Sequence, residues 1–173
     1  MQIAIIYGTA APPGRLAKAQ RVFRSAVNEL GVDTEEIDLS RSVLEGADGR
    51  PPEQQTPAAR SAIDVLSRAN AVVFFTPIYR AAAPGVLKNL LDLTPLEALE
   101  NKPVAVAAMG GSDHHYLAAD AALAPVLTWF GAVSVPFRLY LRSSCFVDGE
   151  LTAAAAIEVT GYARSVVEFT QRV

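Results

Sequence analysis

Short apolar runs alternate with segments of helical period along the whole chain, and that alternation leaves few folds open. Ile3 to Tyr7, Ala71 to Phe75 and Val104 to Met109 are continuous apolar stretches of strand length. A strand without polar alternation has both faces buried, which calls for a parallel sheet covered by helices on each side. The segments between carry the complementary pattern. Leu16, Ala19, Phe23, Ala26, Val27 and Leu30 recur at three- and four-residue steps, forming one face of a helix closed by Gly31. The order is βαβαβαβαβα, and 173 residues suit one domain covering 1–173.

Val32 to Leu39 is a more polar strand, expected near an edge. Residues 40–56 hold Gly46, Gly49, Pro51 and Pro52 and form a long loop, expected to be the most mobile segment. Thr56 is an N-cap with Pro57 at the first helical position; Pro84 opens a third helix by the same logic, and Thr152 caps the last, which turns Tyr162, Val166 and Phe169 inward. A helix from about His114 to Phe130 contains Pro125, whose missing N–H and ring clash cost about 3 kcal/mol, so a kink or bulge is expected near Ala121. Val133 to Leu141 is the fifth strand, and Asp148-Gly149 is a turn.

Composition removes several function classes. With 15 Lys+Arg against 18 Asp+Glu the formal net charge is −3, so the chain lacks the basic excess of a nucleic-acid binder. No apolar run approaches the roughly 20 residues needed to span a bilayer. Ile3 to Tyr7 is too short for a signal peptide and has no basic segment before it, so the expected location is the cytoplasm. Cys145, the single cysteine, reads as a small buried or half-buried hydrophobe and excludes the spaced-cysteine zinc patterns.

Parallel strands end on one edge of their sheet, and ligands bind in the crevice outside those ends. Three unusual loops fall there: Gly8 to Arg15 after the first strand, Thr76 to Arg80 after the third, and Gly110 to His115 after the fourth. The first leads into a helix N-terminus, whose N–H groups and partial positive charge suit a phosphate. Arg15 and Lys18 in its first turn are unfavourable by about 0.3–1 kcal/mol unless an anion lies nearby. The loop matches neither G-x-x-x-x-G-K-[ST] nor G-x-G-x-x-G. Pro77 and Tyr79 suit a loop beside a flat heteroaromatic ring, and Gly110 and Gly111 let a ring or backbone approach closely. His114 and His115 are poor metal ligands, because adjacent helical residues do not share a face; Asp113 reads as the cap of that helix.

The segment Thr76-Pro77-Ile78-Tyr79-Arg80-Ala81-Ala82-Ala83-Pro84-Gly85-Val86-Leu87-Lys88-Asn89-Leu90-Leu91-Asp92 closely resembles the T-P-x-Y-x-x-x-x-P-G-x-L-K-x-x-x-D pattern of NAD(P)H-dependent FMN reductases. Gly110-Gly111 to Leu127, with His115 and Ala124-Pro125-Val126-Leu127, is similar to the branch that supplies reduced FMN to two-component monooxygenases such as the alkanesulfonate systems. The resemblance implies a flavodoxin-like three-layer α/β sandwich with a five-stranded parallel sheet of order 2-1-3-4-5. It implies FMN phosphate at Thr9, Gly14, Arg15 and Leu16, the ring beside Thr76, Pro77, Ile78, Tyr79 and Arg80, and Gly110, Gly111 and Ser112 at the ring's other edge. NADPH or NADH would deliver a hydride to flavin N5 across about 3–3.5 Å, with no side chain needed as acid or base.

Homodimers or homotetramers are implied as well, with no metal, nucleic acid or membrane. Two departures from the pattern stand out: Ala11 and Gly14 replace the usual Arg and second Ser of the first loop, and Asp120 is followed by Ala121 rather than an inserted aromatic. The second strengthens a rival, a tightly FMN-bound reductase of quinones, azo dyes or metal oxyanions, and the first leaves open a fold relative without flavin; an alternative of another class is a nonenzymatic flavodoxin-like electron carrier or flavin-binding regulatory module.

Overall fold

The computed structural model describes the backbone of residues 1–173 and every side chain except those of His114, Ala119 and Asp120; the expectations placed on His114 and on Asp120 therefore lie outside the described residues. Strands β1 (Gln2–Tyr7), β2 (Asp33–Asp38), β3 (Ala71–Pro77) and β4 (Pro103–Met109) run parallel in the order β2-β1-β3-β4. Beside β4 the fifth position is shared by β5 (Val133–Ser134) and β6 (Leu139–Leu141). This is the 2-1-3-4-5 order of a flavodoxin-like doubly wound sheet.

Helices α1 (Arg15–Glu29) and α5 (Ala153–Thr170) cover one face; α2 (Pro57–Arg68), α3 (Gly85–Leu93) and α4 (Tyr116–Trp129) cover the other. The strand period of two divides β1 between the layers. Ile3, Ile5 and Tyr7 pack with Phe23, Phe75, Val159 and Tyr162, whereas Ala4 and Ile6 pack with Leu66, Phe74, Leu87 and Val106. Phe23 meets Phe75 edge-on at 5.3 Å between ring centroids, fixing α1 over the sheet centre. Thr56 and Thr152 cap α2 and α5, accepting from Ala59 N at 3.4 Å and Ala155 N at 3.2 Å.

The fifth strand is not continuous. Pro103 pairs with Val133 but Ala107 with Leu139, so four steps along β4 are matched by six along its neighbour. Pro136 has no N–H to offer the ladder, and the surplus residues bulge out between β5 and β6. Val106 faces this gap, and its carbonyl accepts instead from the buried Tyr162 hydroxyl at 2.9 Å.

Other expectations shift locally. Thr76 and Pro77 belong to β3 rather than to the loop after it, with Pro77 paired to Met109. Pro84 is the N-cap of α3, its ψ of 146° being extended, and Gly85 is the first helical residue. Asp113 does not cap α4. It opens a 3-10 turn, Asp113–His115, and accepts from Arg142 Nη1 at 2.6 Å. The helix is α-helical throughout Tyr116–Trp129 with Pro125 inside, so the expected bulge near Ala121 is not formed. Ala121 is exposed, so the carbonyl that Pro125 leaves without an intrahelical donor is within reach of solvent. The 40–56 loop is held at its middle and at its C-terminal end: Asn89 donates to Glu45 O at 2.8 Å and accepts from Ala47 N at 2.9 Å, and Glu45 accepts from Thr56 N at 2.5 Å.

Candidate functional site

The sheet order reverses between β1 and β3, so their carboxyl ends open the crevice. Gly8 leaves β1 with its N–H on Phe75 O at 2.8 Å. A Cβ there would lie 2.9 Å from Leu87 Cδ2 and 3.3 Å from the Phe75 carbonyl, so glycine brings β1, β3 and α3 into contact. Thr9 is buried, and its Oγ1 accepts from Ala11 N at 3.1 Å, turning the loop back on itself. Gly14 then starts α1 with no side-chain cap and no acidic residue in the first turn. Tyr7, missed by the sequence reading, ends β1 beneath this loop. Burial raises its phenol pKa, opposed by a hydrogen bond from the Gly14 backbone.

After β3, Ile78 N bonds Met109 O at 2.8 Å, tying the third loop to the end of β4. Tyr79 and Ala82 exchange backbone bonds at 2.9 and 3.0 Å around Arg80 and Ala81, whose φ angles are 53° and 60°. Two consecutive left-handed residues make a type I′ turn, and neither is the Gly or Asn that such turns favour. The strain fixes Tyr79, which is half exposed on the rim. Ala81→Gly is expected to stabilise the protein by about 0.5 kcal/mol, strain relief outweighing the greater entropy of an unfolded glycine; a rise in the urea midpoint at constant slope checks it.

A cleft of about 200 Å³ lies between these loops, lined by Arg15, Pro77, Ile78 and Tyr79 on one side and Met109, Gly110, Gly111 and Ser143 on the other. A second cavity of about 590 Å³ lies across Tyr79, walled by Thr9, Ala10, Ala11 and the start of α3. The three loops therefore converge as their sequence positions suggested. Not every candidate reaches the cleft with its side chain. Thr76 is fully buried and donates to Pro77 O at 3.0 Å; Leu16 packs in the core; Gly14, Arg80 and Ser112 are exposed around the rim.

The C-terminal quarter supplies residues that sequence reasoning missed. A hairpin of β7 (Phe146–Val147) and β8 (Glu150–Leu151) turns through Asp148 and Gly149 and packs on α1. Arg15 lies 5.6 Å above the Phe146 ring centroid, and the Lys18 ammonium pairs with the Glu150 carboxylate. Both first-turn cations thus have partners from a segment about 130 positions away, which no local pattern announces. Tyr140 on β6 packs its phenol onto Gly110 and donates to Ser112 O at 2.6 Å, holding the fourth loop. Burial raises its pKa, and the Asp113 carboxylate raises it further. Cys145 is free and half-buried, against the α1–α5 core.

Residues 1–143 match the sequence profile of the NADPH-dependent FMN reductase family. The chain is 31% identical over 152 residues to the NADH-dependent FMN reductase SfnF of Pseudomonas fluorescens, covering 87% of this chain and 81% of that protein. It is 31% identical over 145 residues to the FMN reductase (NADPH) of Pseudomonas aeruginosa, covering 83% and 77%. Among solved structures it is similar in fold to FerB, a flavoenzyme NAD(P)H:(acceptor) oxidoreductase of Paracoccus denitrificans, with TM-score 0.78 and 18% identity across 99% of this chain and 97% of that one. With the 2-1-3-4-5 sheet and three loops meeting on its rim, the chain belongs to the NADPH-dependent FMN reductase family.

Proposed function

We propose that the rim cleft binds FMN for reduction by NADPH or NADH, and that reduced FMN then leaves for a partner monooxygenase. The enzyme is an NAD(P)H-dependent FMN reductase, an oxidoreductase; the handover to a monooxygenase is the further step, supported by the Sfn-named relatives. One observation carries the FMN placement: the cleft at the sheet's switch point lies between Pro77, Ile78 and Tyr79 on one side and Met109, Gly110 and Gly111 on the other, and reaches an uncapped helix N-terminus at Arg15.

The residues present fit FMN. A Cβ on Gly111 would have nothing within 4 Å, which leaves open approach for a flat ring, and α1 offers N–H groups and Arg15 to a phosphate. Thr9, Gly14, Arg15 and Leu16 would hold the phosphate end, Leu16 through its backbone. The strand end and turn of Thr76, Pro77, Ile78, Tyr79 and Arg80 would flank the ring, with Gly110, Gly111 and Ser112 opposite. FMN supplies a ring that accepts a hydride. The described lining of the cleft holds no carboxylate, imidazole or amine side chain, so the protein contributes position rather than proton transfer.

Release of the product is favoured by how the phosphate end is built. Glu150 neutralises Lys18 beside it, while the Thr9 hydroxyl, which accepts from Ala11 N, keeps its proton to donate. Glu150→Gln is expected to tighten FMN roughly two- to fivefold, the size of an exposed charge interaction, and to leave riboflavin affinity unchanged because riboflavin lacks the phosphate. Fluorescence titration with both flavins checks this; equal shifts for the two would remove the phosphate explanation. Purified enzyme is expected to be colourless and to turn over added FMN, whereas a tightly yellow protein would indicate a resident flavin serving another acceptor.

In this reading residues 1–173 act as one domain in the cytoplasm, as a homodimer or homotetramer. Exposed apolar side chains at the two ends of α4 support assembly, Leu117 and Trp129 being 73% and 78% exposed. No described helix is long and apolar enough to cross a membrane.

A further inference from the structure

We propose that the cavity on the outer side of Tyr140 binds the adenosine diphosphate half of the nicotinamide donor. The placement rests on the FMN reductase reading above and assigns a site to a part of the donor that the ring cleft cannot hold. The cavity measures about 460 Å³ and is lined by Asp113, Tyr116, Arg138, Tyr140, Arg142 and Glu158.

Its position is the first argument. Tyr140 is the partition between the two spaces, since its phenol packs on Gly110 and bonds Ser112 O at 2.6 Å. Gly111 and Ser143 line the ring cleft, whereas Asp113 and Arg142 line the outer cavity. Two residues of extended chain span at most about 7 Å, so a donor with nicotinamide over the cleft crosses into the outer cavity along its diphosphate.

Its chemistry is the second. Among the described lining residues two arginines are balanced by two carboxylates, which argues against a site for a bare anion. A nucleoside diphosphate uses both signs, phosphate oxygens meeting guanidinium groups and ribose hydroxyls meeting carboxylates. Arg142 carries five N–H donors, and its bond to Asp113 leaves others for phosphate. Arg138 is anchored on the carbonyls of Val135 and Phe137 and adds a second fixed positive charge. Tyr116 is 53% exposed and held edge-on by Tyr140 at 5.6 Å between centroids, so its ring is a positioned surface for a purine.

Calorimetric titration of the full-length protein with ADP and with 2′,5′-ADP tests the site and separates the two donor chemistries, ADP corresponding to NADH and 2′,5′-ADP to NADPH. The expected result is binding of at least one fragment, competitive with the nicotinamide donor. Tyr116→Ala and Arg142→Ala are each expected to weaken that fragment about tenfold or more. FMN affinity, titrated on the same preparations, is expected to change less than about twofold, since neither residue lines the ring cleft and Tyr140 keeps its bond to Ser112 O in both variants. Wild-type protein that binds FMN but neither fragment, or both variants binding fragment as wild type does, would overturn the proposal while leaving the reductase reading intact. Failure of wild type to bind FMN would overturn both.

Discussion

Gly110→Ala is expected to destabilise the protein by about 1–3 kcal/mol, the usual range for overpacking a tight site, and to weaken FMN binding by about tenfold or more. Gly110 is buried at the end of β4, its N–H bonded to Leu141 O at 3.0 Å. An added Cβ would overlap the Tyr140 hydroxyl and lie 3.0 Å from Cζ and 3.2 Å from His115 Cβ. The phenol cannot yield cheaply. It donates to Ser112 O at 2.6 Å and stands edge-on to Tyr116, so displacing it frees the loop that forms one wall of the ring cleft.

Two comparisons isolate the cause. Gly111→Ala is expected to leave stability nearly unchanged, since a Cβ there meets nothing within 4 Å. Adding Tyr140→Phe to Gly110→Ala removes the overlapping hydroxyl and is expected to restore part of the stability, the remainder being the lost Tyr140–Ser112 hydrogen bond. Denaturant midpoints and FMN titrations on the four proteins give both readouts. A double variant no more stable than Gly110→Ala alone would show that the clash is not with the phenol.

Tyr162→Phe is expected to cost about 1–3 kcal/mol, the penalty for leaving a buried acceptor without its donor. The split between β5 and β6 removes the strand partner of Val106 O, and the Tyr162 hydroxyl fills that role at 2.9 Å. The same residue gives an alkaline signature. Its pKa is raised above the ordinary 10.0, chiefly by burial and against an opposing influence of Arg138. A phenol whose folded pKa exceeds its unfolded value stabilises fully below about pH 10, and that contribution is lost as pH climbs toward the folded value. Stability is therefore expected to fall by about 1.4 kcal/mol per pH unit for this group above pH 10. Tyr7 and Tyr140, raised in the same direction by burial, steepen the decline. In Tyr162→Phe the slope is expected to be shallower by that amount; urea unfolding from pH 8 to 11.5 measures it, and equal slopes would contradict the assignment.

What could be read from the sequence was local in origin. Unbroken apolar runs marked β1, β3 and β4 because both of their faces are buried, and Thr56 and Thr152 marked helix starts because capping is settled within three residues. The three rim loops followed from the parallel topology. The split fifth strand was hidden because Val133 to Leu141 keeps its apolar character while Pro136 shifts the pairing, and register is a property of two strands rather than one. Asp113 looked like a cap until Arg142, 29 positions away, took its carboxylate. The cationic first turn of α1 called for compensation; the partners found for it, Glu150 for Lys18 and Phe146 for Arg15, lie on a distant hairpin whose docking no periodicity encodes.

The central claim is that the rim between Arg15, Tyr79 and Gly111 receives FMN and presents it to a nicotinamide donor. The most direct measurement is a calorimetric titration of flavin-free protein with FMN, followed by rapid mixing of the complex with NADPH and with NADH while flavin absorbance is recorded. The account predicts saturable one-to-one binding and bleaching of the flavin by at least one donor far faster than in free solution. Absence of heat with FMN, or a bound flavin that neither donor bleaches faster than free FMN, would contradict it.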